Sequence, residues 1–213
     1  DAALLPGRRV QVHCSDGPLL GVMGRKPIHL IEDEERKNVT KIDKLFIDLG
    51  MSADEVKKRV RIGDPITFDV KLEEFGDGLV VSRAFDDKMG AFIAARVIEE
   101  VKAAGGAPGD CVAAATVQEE IGLRGGITSA WHVDPQVGIA VEVCHATDYP
   151  DIDKRKHGEF SLGKGPVIAR GANINPRLFE LLVAAAEKAG IEYQVSAEPR
   201  GTAVPALGPS SGA

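Results

Sequence analysis

Hydrophobic and polar positions change rhythm once along this chain, near residue 82. Before that point the apolar residues come in short alternating runs, "RRVQVHC", "GPLLGVMG", "DKLFIDLG" and "DPITFDVKL", set apart by Gly, Asp and Pro. Alternation of this length predicts half-buried strands. Between the last two runs, "SADEVKKRV" places Ser52 three residues before Glu55. That spacing is a capping box and predicts one short helix. The charge run "EDEERK" reads as a solvated loop.

Beyond residue 82 the period lengthens. "DKMGAFIAARVIEEVKAAGG" has helical spacing through Phe92, Ala95, Val97, Ile98 and Val101 and ends in glycines. "CVAAATV" and "VGIAVEV" are nearly continuous apolar runs of strand length, a pattern that predicts strands covered on both faces. "PRLFELLVAAAEKAG" predicts a second helix, with Pro176 at its start and Gly190 at its stop. "IEYQV" then alternates like a further strand. Helix alternating with strand predicts an α/β fold with a mainly parallel sheet. The expected organisation is a small β-rich module over 1–82 and an α/β module over 83–213.

In open α/β sheets, functional groups collect beyond the carboxyl ends of the strands. Three acidic groups fall at or near such boundaries. Asp86 and Asp87 lie between "LVVS" and the helix expected near Lys88; Glu119 and Glu120 follow "CVAAATV"; Glu142 interrupts "IAVEVCHATD". Taken singly, Asp86–Asp87 reads equally well as a helix cap and Glu119–Glu120 as a solvated turn. Glu142 is harder to explain that way, because an ionised carboxylate inside a buried apolar strand is costly unless paired or metal-bound. His145, two residues beyond Val143, is a metal-ligand candidate or a surface histidine. Together the acids suggest a cluster that needs cations. Oxygen-rich sites hold Mg, Mn, Co or Zn, with imidazole favouring zinc or cobalt. Two such ions about 4 Å apart can polarise a carbonyl and hold a hydroxide between them. Adjacent glutamates then divide the work: one binds metal and its neighbour handles a proton.

Composition narrows the partners. With 213 residues, 44% apolar and 27% charged, the chain is ordinary for a globular protein, and its net charge of -6 argues against a nucleic-acid partner. No apolar run approaches the ~20 residues a membrane span needs, and no signal-peptide layout opens the chain, so a cytoplasmic location is expected. Cys14, Cys111 and Cys144 are odd in number and widely spaced, which predicts free thiols. The start, "DAALLPGRRVQV", has no initiator Met and predicts a fragment or a processed chain.

Four ordered motifs, "SRAFDDKMG", "ATVQEEIGLRGG", "IAVEVCHATDYPD" and "LGKGPVI", resemble the glutamyl-aminopeptidase family of dinuclear metallopeptidases, which includes the tetrahedral (TET) aminopeptidases. "GVMGRKPIHL", "KLFIDLG" and "VRIGDPITF" resemble the PDZ-like β domain inserted in that family's catalytic domain. The resemblance implies a three-layer sheet with flanking helices, of the zinc-peptidase kind, beside a PDZ-like oligomerisation domain over 1–82. It implies that Asp86 bridges two divalent ions, Zn or Co, with a cis peptide to Asp87, which orients neighbouring groups. Glu119 becomes the general base acting on a metal-bridging water, and Glu120 and Glu142 each bind one metal; the family often has Asp at the latter place. Peptides are the implied substrates, losing single N-terminal residues, and a homo-oligomer, up to a tetrahedral dodecamer, is the implied assembly.

The resemblance also breaks. The family completes each metal site with a histidine, from a His-x-Asp-Glu stretch before the inserted domain and a His-Ser segment near the C-terminus, and this chain carries neither. Its tail reads "GTAV" where the family has Gly-Thr-Asp-Ala. The expectation is therefore a catalytic domain over 83–213 that lacks N-terminal and C-terminal parts and is inactive as it stands. A related dinuclear-metal deacylase or carboxypeptidase, and a catalytically dead oligomeric scaffold, are the alternatives.

Overall fold

The computed structural model describes residues 2–32 and 37–198. The core of the charge run "EDEERK" and the tail beyond Glu198 lie outside the described residues. The chain divides into two compact units, Asp1–Arg83 and Ala84–Ala213.

In the first unit, strand β1 (Arg9–Cys14) turns through Ser15 and Asp16 into β2 (Gly17–Gly24), its antiparallel partner. β3 (Phe46–Asp48) adds to the far edge of β2, and β4 (Ile66–Phe68) to the far edge of β1, giving the order β3-β2-β1-β4. The register pairs Val12 with Leu19 and Val10 with Gly21, so the period-2 pattern puts one buried stripe across the central hairpin. Val10 is 1% exposed and anchors that stripe. On the opposite face of β1, polar side chains reach across to β4 and its end. Gln11 Nε2 donates to Asp69 Oδ1 at 2.8 Å, His13 Nε2 and Thr67 Oγ1 share a hydrogen bond of 2.8 Å, and Arg9 pairs with Asp69 at 2.6 Å.

Helix α1 (Ala53–Arg59) has the capping box read from the sequence: Ser52 Oγ accepts from the Glu55 N–H, and the Glu55 carboxylate accepts from the Ser52 N–H. Its acids stand in the first turn and Lys57, Lys58 and Arg59 in the last, which suits the helix dipole. A second hairpin, β5 (Glu73–Phe75) and β6 (Leu79–Val81), turns over Gly76-Asp77-Gly78.

The second unit is helical with a small parallel sheet. Helix α2 spans Phe85–Ala103, but Asp86 and Asp87 have non-helical dihedrals, so regular helix starts at Lys88. Helices α3 (Arg124–Val133) and α4 (Lys154–His157) follow. Strand β7 (Val167–Gly171), helix α5 (Pro176–Ala189) and strand β8 (Gln194–Glu198) then form a β-α-β crossover, with β7 and β8 parallel. Asn175 Oδ1 caps α5 by accepting from the Arg177 and Leu178 N–H groups, Pro176 fills the first turn, and Gly190 closes the end at φ +66°. The apolar face of α5 buries Phe179 and Ala186, and the Arg170 guanidinium lies 5.4 Å from the Phe179 ring centroid.

Two expectations fail here. "CVAAATV" (111–117) and "VGIAVEV" (137–143) belong to no strand ladder, and Val117 and Val137 are 68% and 66% exposed. A continuous apolar run becomes a doubly covered strand only when neighbours supply hydrogen bonds along both edges and side chains over both faces. Among the described residues the sheet of this unit has two strands, so the mixed α/β character stands and a three-layer sheet is not formed. The strand expected at "IEYQV" starts three residues late, at Gln194, where pairing with Val167 begins. No helix of the described residues is long and apolar enough to cross a membrane, and Cys14, Cys111 and Cys144 are all free.

Candidate functional site

The chain reaches Asp86 through an unusual backbone. Ala84 sits in the left-handed region at φ 58°, and the Asp86–Asp87 peptide is cis. Asp87 Oδ1 accepts the Gly90 N–H at 2.7 Å, as an N-cap carboxylate does for the third residue of a helix starting at Lys88. The helix-cap reading therefore holds for Asp87, while Asp86 stands outside the regular turns. Gly90 is buried, and a Cβ built on it would collide with Asp87 Oδ2 and with the Val141 carbonyl oxygen. Helix propensity alone favours Ala over Gly by about 1 kcal/mol in such a position, so the glycine is explained by close approach.

Glu119 and Glu120 occupy a tight turn. Gln118 has φ 59°, and the Glu119 carbonyl accepts from both Gly122 and Leu123, at 3.0 and 2.9 Å. The Gly125 N–H then returns to the Val117 carbonyl at 2.9 Å, and a Cβ on Gly125 would collide with the Val117 backbone. A glycine in the first turn of α3 thus brings that helix onto the residues just before the glutamates. Glu119 is half-buried and Glu120 exposed.

Glu142 is exposed, not sunk in an apolar interior, which corrects the argument that singled it out. The reason is the one given above: its run lacks the neighbours that would cover it. Its segment is nonetheless anchored on both sides. Val141 lies against Gly90, and Thr147, only 3% exposed, joins the chain to residues 158–160. Thr147 Oγ1 accepts the Phe160 N–H at 2.8 Å and faces the Gly158 carbonyl at 3.1 Å, while the Thr147 N–H donates to the Phe160 carbonyl at 2.7 Å. Asp148 Oδ2 accepts from Leu162 at 2.9 Å. His145 is exposed.

Electrostatics tie the three acidic groups together. The Glu119 carboxyl is held above its ordinary range, first by desolvation and then by the like charges of Glu142, Glu120, Asp86 and Asp87. Acids from three separate segments, 86–87, 119–120 and 142, therefore act on one proton site. Such mutual repulsion is what a divalent cation relieves, and an all-oxygen donor set suits one. Among the described residues, however, no three His, Cys, Asp or Glu side chains stand close enough to hold a metal ion. The donor chemistry fits a divalent metal; a closed coordination sphere is not formed by these residues alone. A surface depression lined by Ile98, Val101, Lys102, Asp110 and Cys111 includes none of Asp86, Asp87, Glu119, Glu120 and Glu142.

Comparison with known proteins gives this grouping its context. The family model described as M42 glutamyl aminopeptidase matches residues 1–206. The chain belongs to the M42 glutamyl aminopeptidase family. Among relatives, lysyl aminopeptidase of Pyrococcus furiosus is 32% identical over 201 residues, which cover 93% of this chain and 56% of that protein. Among solved structures, a TET aminopeptidase from a marine sediment Thaumarchaeota archaeon superposes with a TM-score of 0.83 at 32% identity, over 97% of this chain and 60% of that one. The Pyrococcus horikoshii TET1 peptidase, described as assembling into a tetrahedron or a large octahedral shell, superposes at 0.72 with 31% identity, over 97% and 61%. The chain thus spans somewhat more than half the length of these proteins.

The sequence reading missed Gly90, Gly125 and Thr147. The glycines had a signal, since each stands inside helical sequence a few residues after a pair of acids. Thr147 had none, because one threonine near an acidic turn does not announce burial.

Proposed function

We propose that the protein is a dinuclear metal-dependent aminopeptidase that removes N-terminal residues from peptides. Family membership supports peptide hydrolysis and a need for divalent ions. The observation that carries the site is the close approach of Gly90, whose N–H is held by Asp87, to Val141 beside Glu142, with the charges of Glu142, Glu120, Asp86 and Asp87 raising the Glu119 carboxyl. In this reading Asp86, Glu120 and Glu142 hold two divalent ions, Zn or Co. Bound there, the ions would supply a Lewis acid for the scissile carbonyl. Glu119 takes the proton of the attacking water and passes it to the leaving amine; a carboxyl whose proton affinity is raised suits both halves of that task. Asp87 orients the group through its bond to Gly90. A free α-amine on the substrate would be a further donor for one of the ions, which favours substrates with a free N-terminus.

The rest of the architecture follows the same reading. The β-rich first unit is a PDZ-like oligomerisation domain. The assembly is a cytoplasmic homo-oligomer, of the kind described for the TET1 peptidase.

The test compares an aminoacyl-p-nitroanilide with its N-acetylated analogue, each with added Co or Zn and with a chelator. The reading requires cleavage of the free amine only, abolished by chelation. Equal cleavage of both substrates would point instead to a dinuclear-metal deacylase. Oligomers that form without metal and cleave nothing in excess Co or Zn would mark a catalytically dead scaffold.

A further inference from the structure

We infer that Gly90 is a positioning residue for the carboxylate group, setting the separation between the Asp86–Asp87 turn and the Glu142 segment. Gly90 does this in two ways. Its N–H is fixed by Asp87 Oδ1 at 2.7 Å, so the residue reports directly on where the Asp87 side chain sits. Its bare Cα then lies against the Val141 carbonyl, one residue before Glu142. The same missing Cβ accommodates Asp87 Oδ2 on one side and the Val141 backbone on the other. Any side chain here forces the two acidic segments apart, because one of its neighbours is main chain and has no rotamer to change. Among the described residues the segment carrying Glu142 joins no strand ladder, and this contact and the Thr147 anchor help to hold it in place. Gly90 touches no reacting group; it acts through Asp87 and Glu142.

This inference rests on the dinuclear reading, and its test separates the two. Titration calorimetry with Zn or Co alone, on the metal-free purified protein, measures cation affinity without reference to turnover. Gly90→Ala is compared with Gly21→Ala, whose added Cβ collides with the Ile47 and Leu49 side chains in the first unit, which carries none of these acids. Circular dichroism and thermal melts accompany both. Gly90→Ala should keep its helical signal and lose about 10- to 100-fold in cation affinity, the scale seen when residues supporting metal ligands are removed. Gly21→Ala should lower the melting temperature while keeping wild-type affinity. Unchanged affinity in Gly90→Ala overturns the inference, as does an equal loss in both variants. A Gly90→Ala chain that does not fold also overturns it, since the glycine then serves the fold and not the acids. If the wild type itself binds neither ion, the dinuclear reading falls, and this inference with it.

Discussion

The two units solve the same problem, what to do with apolar sequence, in different ways. In the first, the alternating residues of β1 and β2 meet across a hairpin, and Val10, Val12 and Leu19 disappear from solvent. In the second, the runs at 111–117 and 137–143 are more continuously apolar, yet Val112, Val117, Val137 and Ile139 remain exposed. Hydrophobicity of a run therefore does not determine its burial; the number of partners within reach does. The chemistry follows the same divide. Both units pair charges, as in Arg9–Asp69 and Lys154–Glu159, but the second also gathers like charges around Glu119.

The largest expected effect tests that second gathering. In a chain that also carries the family's two histidines, Glu119→Gln should lower turnover by about 10²- to 10⁴-fold, the usual worth of a general base, while the bound-metal content measured by atomic emission is largely kept. Loss of both metals instead would mean that base and ligand are assigned to the wrong neighbours of the Glu119–Glu120 pair. Next in size is the contrast between two valines. Val10→Ala should cost about 2 kcal/mol in denaturant unfolding, from lost burial and the cavity left behind. Val117→Ala should stay within about 0.5 kcal/mol, as exposed sites do. A cost at Val117 equal to that at Val10 would show that the 111–117 run is covered in solution and would erase the contrast. Ser52→Ala comes third, at about 1 kcal/mol of the first unit's stability, for loss of the N-cap of α1.

What the sequence made legible follows the same line. The β1–β2 hairpin, the Ser52–Glu55 capping box and the Pro176-to-Gly190 helix were readable because each is decided by residues close along the chain. The start of regular helix at Lys88, after Asp86 and Asp87, was readable for the same reason. The state of 111–117 and 137–143 was not, because a ladder depends on segments far away. Glu142 shows how a sound local argument can rest on the wrong surroundings: the acid joins the others, but on an exposed segment. The strand at 167–171, which pairs with 194–198, and the strand at 73–75, which pairs with 79–81 in the other unit, were missed as strands, since neither alternates over enough residues to register. Within the site, acids in ordered motifs were visible, while the spacing between them depends on Gly90 and Gly125, whose role is a contact and not a pattern.

The smallest effect contrasts two glutamates, one in each unit, with opposite responses to pH. Hydrogen bonds from the Ser52 side chain and backbone hold Glu55 below its ordinary range. Its native form thus prefers the carboxylate, so its contribution is present above the unfolded value, about 4.3, and is lost as the pH falls through the lower native one. Glu119 is held above its ordinary range by desolvation and by Glu142, Glu120, Asp86 and Asp87. Its native form prefers the proton, so its contribution is complete below about 4.3 and is lost as the pH rises through the higher native value. Thermal melts of the metal-free protein should therefore separate the two. At neutral pH, Glu55→Gln should melt slightly below the wild type and Glu119→Gln slightly above it, and both differences should shrink in acid. Zinc should reduce the Glu119→Gln advantage, because a cation favours the carboxylate that the neighbouring acids oppose. A Glu119→Gln protein that melts below the wild type at neutral pH without metal would mean that the acids do not repel one another there.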